Sequence, residues 1–196
     1  MPRKYSMERR NADVGETRQR IVDATMALHN EKGILATSMQ DIAARAGVAL
    51  GTVYRHFPSL DVLVPACGAR NMELNPPPAL ETFAGLGNEA RIPAIFAALY
   101  AHYEALERAY FVGHAEAPKL RVLQSLMEQA DAYVRSLVSG AVAPLHPTEE
   151  GYGLAVVMAD FFTWYAFNRA GFSSNDAAGI AAGIVLAHLI NEEGGA

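Results

Sequence analysis

The chain has 196 residues, a formal net charge of -5 at pH 7, 51% hydrophobic and 19% charged residues, and one cysteine. That length suits one globular domain or one domain with a small appendage, and that apolar content buries a sizeable core, which excludes wholesale disorder. The lone Cys67 excludes an internal disulfide and a multi-cysteine zinc site; it reads as a small core or interface residue, or as a redox switch.

Residues 1–15, "MPRKYSMERRNADVG", show no apolar periodicity and read as a mobile basic arm. A first helix is predicted from about Glu16 to Lys32, with Ile21, Ala24, Thr25 and Leu28 on one buried stripe and Gly33 as its stop. Ser38 with Asp41 resembles a capping arrangement and opens a second helix through Ala46, which Gly47 ends. A third, short helix covers Leu50 to His56, and Ser59 before Asp61 caps a fourth that runs to about Leu74. The "NPPPAL" run at 75–80 must break the chain. Beyond it, long helical patterns cover about Glu89–Arg108, Lys119–Ser139, Thr148–Ala170 and Asn175–Glu192. The fold class is therefore all-α, divided into the arm (1–15), a helical domain at 16–60 and a helical body at 61–196. No apolar segment has the form of a signal peptide or a membrane span, so a cytoplasmic protein with no membrane partner is expected.

Charge is unevenly spread. Residues 1–60 carry a net +3 and the remainder a net -8. A basic end on an acidic body suggests a polyanion partner for the first part only. The stretch "GVALGTVYRHF" at 47–57 holds no carboxylate at all. Two short helices crossing over a tight turn need a small residue where they meet, which is Ala43, and a glycine where the turn takes positive φ, which is Gly47. Ile42, Val48 and Val53 lock the pair. The outer face of the second helix is then free for the DNA major groove, where a carboxylate would be repelled by phosphates.

The segment "TRQRIVDATMALHNEKGILATSMQDIAARAGVALGTVYRHFPSLDVL", residues 17–63, resembles the DNA-binding region of the tetracycline-repressor (TetR) family of bacterial transcriptional regulators, most strongly in "DIAARAGVALGTVYRHF". The resemblance implies an N-terminal three-helix DNA-binding domain with a helix-turn-helix, and a C-terminal helical body for ligand binding and dimerisation. By position it implies phosphate contacts from Tyr54, His56, Thr37 and Ser38, base or phosphate contacts from Thr52 and Arg55, a flanking phosphate for Arg18, and close approach at Gly51. Three residues depart from the family pattern. Ala49 stands where a serine cap is common. Leu50 stands at an often polar position, where it could touch a thymine methyl but hydrogen-bond nothing. Leu60 replaces a common lysine. The arm residues Arg3, Lys4, Arg9 and Arg10 either follow DNA or form a solvated tail. His29 stands where an aromatic residue usually packs.

The body places aromatic residues at helical spacing: Phe96, Tyr100 and Tyr103 on one face, and Phe161, Trp164, Tyr165 and Asn168 on another. Such stripes form either core or, as the family resemblance implies, the wall of a small-molecule pocket. Phe96, Tyr100, Tyr103, His114, Gln124, Asp160, Phe161, Trp164 and Asn168 are the candidate ligand residues. Asp160 interrupts an apolar run and reads either as an ion-paired or hydrogen-bonded carboxylate or as a ligand anchor. Gly179, Gly183 and Ala187 recur every four residues, a spacing that lets helices pack closely, and the resemblance implies a homodimer through the last two helices of each subunit. The fourth helix, joining the two parts, is the natural lever for induction.

No phosphate loop, G-x-S-x-G or H-E-x-x-H occurs, and the six histidines have no metal-ligand spacing, so neither a catalytic role nor a cofactor nor a metal is expected. The expected function is a dimeric repressor that binds a palindromic double-stranded operator and is released by an unidentified small-molecule effector. The alternative is an architectural or activating DNA binder with no inducer.

Overall fold

The computed structural model describes residues 3–194, with side chains described for 12–191. Every regular element among them is helical. The helices are α1 (Arg3–Lys32), α2 (Met39–Ala46), α3 (Leu50–His56), α4 (Leu60–Leu74), α5 (Asn88–Ala105), α6 (Glu107–Glu116), α7 (Arg121–Val142), α8 (Glu149–Met158), α9 (Phe161–Arg169) and α10 (Ser174–Gly194). Among the described residues no helix is long and apolar enough to cross a membrane.

The chain forms two compact units. The first comprises residues up to Leu74 together with Phe111–Leu126; the second comprises Asn75–Tyr110 and the residues from Met127 onward. The first unit includes α4, which the expected division at residue 60 assigned to the body. Leu63, Val64 and Cys67 of α4 are buried, and Leu63 and Cys67 join Ile21, Val22, Leu28, Ile42, Ala43, Val53 and Phe57 in one apolar cluster. The stripe Ile21, Ala24, Thr25 and Leu28 is buried as its spacing requires.

Three helix boundaries differ from expectation. α1 starts at Arg3, so the segment read as an aperiodic arm is helical. Its Arg, Lys, Met, Glu and Ala residues are good helix formers, and no proline interrupts residues 3–32. The side chains of Arg3, Lys4, Arg9 and Arg10 lie outside those described. α6 was not anticipated; it restarts the chain after Leu106, which leaves helical geometry at φ -117° and ψ 17°. The single helix expected over 148–170 is two helices, α8 and α9, broken at Ala159–Asp160.

In the second unit α10 packs against α5, α8 and α9. Its buried face carries Ala177, Ala178, Ala181, Ala182, Val185 and Leu189. Small residues at that spacing bring the helix axes close together.

Candidate nucleic-acid interface and aromatic core

The helix-turn-helix is built from its caps outward. Ser38 is the N-cap of α2, in extended conformation: its Oγ accepts the Asp41 N–H at 3.1 Å, and Asp41 Oδ2 accepts the Ser38 N–H at 3.0 Å. This capping box satisfies two backbone donors that a helix start leaves unpaired. Lys32 Nζ donates to the same Asp41 oxygen at 2.7 Å, and with Ser38 it holds that carboxyl far below the usual range. α2 ends at Gly47, at φ 65° and ψ 39°, the left-handed region that favours glycine. Val48 N–H then closes the turn onto Ala43 C=O at 3.0 Å. Val53 and Phe57 are fully buried beneath α3.

α3 turns Leu50 (39% exposed), Gly51, Tyr54 (49% exposed) and Arg55 to solvent, with Thr52 and His56 half-buried at the edges. None of its residues is acidic. Ala49, its N-cap, makes no side-chain hydrogen bond. The Arg18 guanidinium sits 4.7 Å from the centre of the Phe57 ring, a cation–π contact that holds a positive charge beside the end of α3. Burial, followed by the charges of Arg55 and Arg18, lowers the His56 pKa, which favours the neutral imidazole. The basic residues Arg45 and Lys32 are neutralised by Glu31 and Asp41, and neither lies on α3.

Two of the candidate DNA-contacting residues are engaged internally. Thr37 is 5% exposed; its Oγ1 donates to Gly33 C=O at 2.7 Å and its N–H to Ile34 C=O at 3.1 Å. These bonds tie Thr37 into the loop entering α2. Ser38 Oγ also donates to Asp41 Oδ2 at 2.6 Å. Leu60 is half-buried against the apolar cluster, which accounts for an apolar residue at the start of α4.

In the second unit Phe96, Tyr100, Tyr103, Phe161 and Trp164 are all at most 2% exposed and form one cluster with Tyr110. Tyr103 and Tyr110 meet edge to face at 5.2 Å, and Tyr110 stacks on Phe161 at 5.2 Å. The polar atoms of this cluster are paired: Tyr100 Oη donates to Met158 C=O at 2.5 Å, Tyr103 Oη to Ala159 C=O at 2.9 Å, and Trp164 Nε1 to Ser174 Oγ at 3.1 Å. Burial raises all three phenol pKa values, that of Tyr110 to about 12.

Asp160 is exposed and caps α9, Oδ1 accepting the Phe162 N–H at 2.8 Å. Its carboxylate does not interrupt a helix; it starts one. Asn168 is half-buried on α9, while His114 and Gln124 belong to the first unit. A cleft of about 510 Å³ in the second unit is lined by Gly87, Asn88, Glu89, Ala90, Leu145, Leu186 and Ile190, none of them a residue expected to bind ligand.

Two residues of this geometry were missed in the sequence. His102 is 6% exposed, its Nε2 3.1 Å from Tyr110 Oη, and burial lowers its pKa. It follows Leu99 by three positions and Ile95 by seven, so the helical period already placed it inward. Glu116, on the unanticipated α6, gave no such signal.

The sequence model described as bacterial regulatory proteins, tetR family, matches residues 21–67, the segment that holds this helix-turn-helix. The HTH-type transcriptional repressor KstR of Mycobacterium tuberculosis is 33% identical over 153 residues, covering 74% of this chain and 67% of that protein. The chain belongs to the tetR family of bacterial regulatory proteins. KstR of Rhodococcus jostii is 31% identical over 158 residues, covering 74% of this chain and 68% of the relative. A TetR-like transcriptional regulator from Rhodococcus sp. RHA1 shares the fold, with a TM-score of 0.67, 18% identity, and coverage of 89% of this chain and 96% of that one. The multidrug binding protein EbrR, solved with imidazole, also shares it, with a TM-score of 0.57, 21% identity, and coverage of 88% and 93%. TetR proteins are non-enzymatic DNA-binding regulators of transcription, and the helix-turn-helix of α2 and α3 is the part of this chain that carries that activity.

Proposed function

We propose that this TetR-family regulator is a cytoplasmic, dimeric repressor that binds a palindromic operator and releases it when a small molecule binds the helical body. The observation that carries the reading is the outer face of α3. It is free of carboxylates, backed by buried Val53 and Phe57, and flanked by Arg18. Arg55, Tyr54, Thr52 and His56 supply donors to phosphates and base edges, Ser38 lies at the start of α2, and Gly51 allows close approach. Repression is supported by the relatives named as repressors.

The exposed stripe of α10 supports the dimer. Gly179, Gly183 and Ala187 face solvent beside Ile180 (38% exposed) and Ile184 (42% exposed). An apolar strip of that kind is costly to leave in water and suits a two-fold helix–helix interface. In the dimer the two recognition helices should lie about one DNA turn, roughly 34 to 36 Å, apart.

The effector reading rests on the aromatic cluster around Phe96, Tyr100, Tyr103, Phe161 and Trp164, with Asn168 on the same helix as Trp164 and the polar pair His102 and Tyr110 inside it. That EbrR, of the same fold, is a multidrug binding protein supports it. An effector acts only through different affinities for the DNA-bound and free conformations, and a difference of about 2.7 kcal/mol gives about a hundredfold loss of operator affinity. The test is fluorescence anisotropy on DNA selected by the protein from a random duplex library, followed by a screen for compounds that release it. Trp164 is the one tryptophan, and its emission reports binding. DNA binding with no releasing compound, and no thermal shift with any, would favour the architectural or activating alternative.

A further inference from the structure

We infer that Leu50 is a specificity-determining residue that reads the C5-methyl group of a thymine in each operator half-site, and that Gly51 gives it the necessary approach. The inference rests on the operator-binding reading. α3 begins with Ala49 as its N-cap, followed by Leu50 and Gly51, none with a hydrogen-bonding side chain; the first hydroxyl, that of Thr52, follows at the half-buried edge. Leu50 is nonetheless 39% exposed on the outward face and does not belong to the apolar cluster beneath the helix. The base edges of the major groove offer an apolar side chain one feature to read, the thymine methyl. An exposed leucine at the leading end of a recognition helix complements that feature and no hydrogen-bonding edge.

Gly51 supplies an independent observation. It has ordinary helical geometry, and a Cβ built there meets nothing within 4 Å. Among the described residues no neighbour therefore crowds this position, and glycine favours a helix less than alanine does. Gly51 also shares the outward face with Leu50, Tyr54 and Arg55. A residue that disfavours the helix and relieves no internal crowding is explained by what approaches from outside. Without a side chain at 51, the backbone of α3 comes closer to the base edges, which brings Leu50 within van der Waals reach of a methyl group.

The test uses the full-length protein and the duplex it selects from a random library. Each thymine of one half-site is replaced in turn by deoxyuridine, which removes the methyl group and keeps every hydrogen bond. One position is expected to lose affinity about fourfold, and about 15-fold when both half-sites are changed, the size of one buried methyl group per site. In Leu50→Ala that sensitivity should vanish while sensitivity at other positions persists. Gly51→Ala should raise the melting temperature yet weaken operator binding several-fold, a combination that a purely structural role would not produce. If no thymine is sensitive to deoxyuridine in the wild-type protein, or Leu50→Ala retains the sensitivity, the inference is overturned; the wild-type arm stands even if the variant folds poorly. A selection that enriches no sequence overturns operator recognition itself, and this inference with it.

Discussion

Glu116 and Ile34 stand 82 positions apart, yet Oε2 of Glu116 accepts the Ile34 N–H at 2.9 Å and the adjacent Leu35 N–H at 2.8 Å. Its other oxygen lies against Gly33, at φ +94°, where a Cβ would have no room. The carboxylate thus fixes the loop that leads through Thr37 to the N-cap of α2. Charge-assisted bonds to backbone donors are among the stronger interactions a side chain makes. Glu116→Ala should lower stability by about 1–3 kcal/mol and weaken DNA binding without altering sequence preference. Glu116→Gln should restore most of both, because an amide oxygen can still accept both N–H groups. Denaturant unfolding and hydrogen exchange at Ile34 and Leu35 would check this; equal losses in the two variants would mean that the charge, not the loop geometry, matters.

His29 gives the first unit a predictable pH dependence. It is 7% exposed, its Nε2 has no hydrogen-bond partner, and burial pushes its pKa down from 6.5 to about 4. The unfolded chain therefore binds a proton near pH 6.5 that the folded chain refuses until about pH 4. Stability from this residue is present above 6.5 and declines as pH falls through that window, by about 2 kcal/mol between pH 7 and pH 5. His29→Phe should flatten that part of the profile. Urea unfolding of both proteins at pH 7 and pH 5 measures it, and an identical drop in the variant would assign the dependence elsewhere.

Tyr103 ties α5 to the break between α8 and α9 through its bond to Ala159 C=O. Tyr103→Phe keeps the ring packing and leaves a buried carbonyl short of a donor, at a cost of about 1–3 kcal/mol. Tyr103→Ala should cost about 3–5 kcal/mol, because the surrounding rings cannot fill the cavity. The proposed effector binding is therefore best probed with the phenylalanine variant, which keeps the ring packing. An unchanged denaturation midpoint in Tyr103→Phe would show that the bond contributes nothing.

Gly183 tests the proposed dimer. A Cβ at this position meets nothing within 4 Å in one chain, and the residue is helical and exposed. Gly183→Leu should leave the isolated chain at least as helical, since leucine favours a helix over glycine by roughly 0.5–1 kcal/mol. In the proposed dimer a partner helix would meet the added side chain. Sedimentation velocity should show a dimer at micromolar concentration for the wild type and a largely monomeric variant. A variant that remains dimeric would place the interface elsewhere.

Local chemistry made much of this protein legible. The spacing of Ile21, Ala24, Thr25 and Leu28, the Ser38–Asp41 cap, the stop at Gly47 and the seven residues of α3 all follow from interactions within a few positions along the chain. The carboxylate-free face of α3 is a property of composition, so it needed no structure to be seen. What only the tertiary structure decided involves partners far apart in sequence. The resemblance assigns Thr37 a phosphate contact, and only the structure shows that Gly33 C=O accepts its hydroxyl hydrogen. Asp160 looked like a charge inside one long helix, because apolar residues continue on both sides, and only the backbone shows that it caps a second. Tyr100 and Tyr103 were recognisable on one helical face and Trp164 on another, but Met158 C=O, Ala159 C=O and Ser174 Oγ, which take their hydrogens, were not. Helical periodicity assigns a side chain to a face and cannot assign it a partner, because the partner is chosen by how separate helices pack.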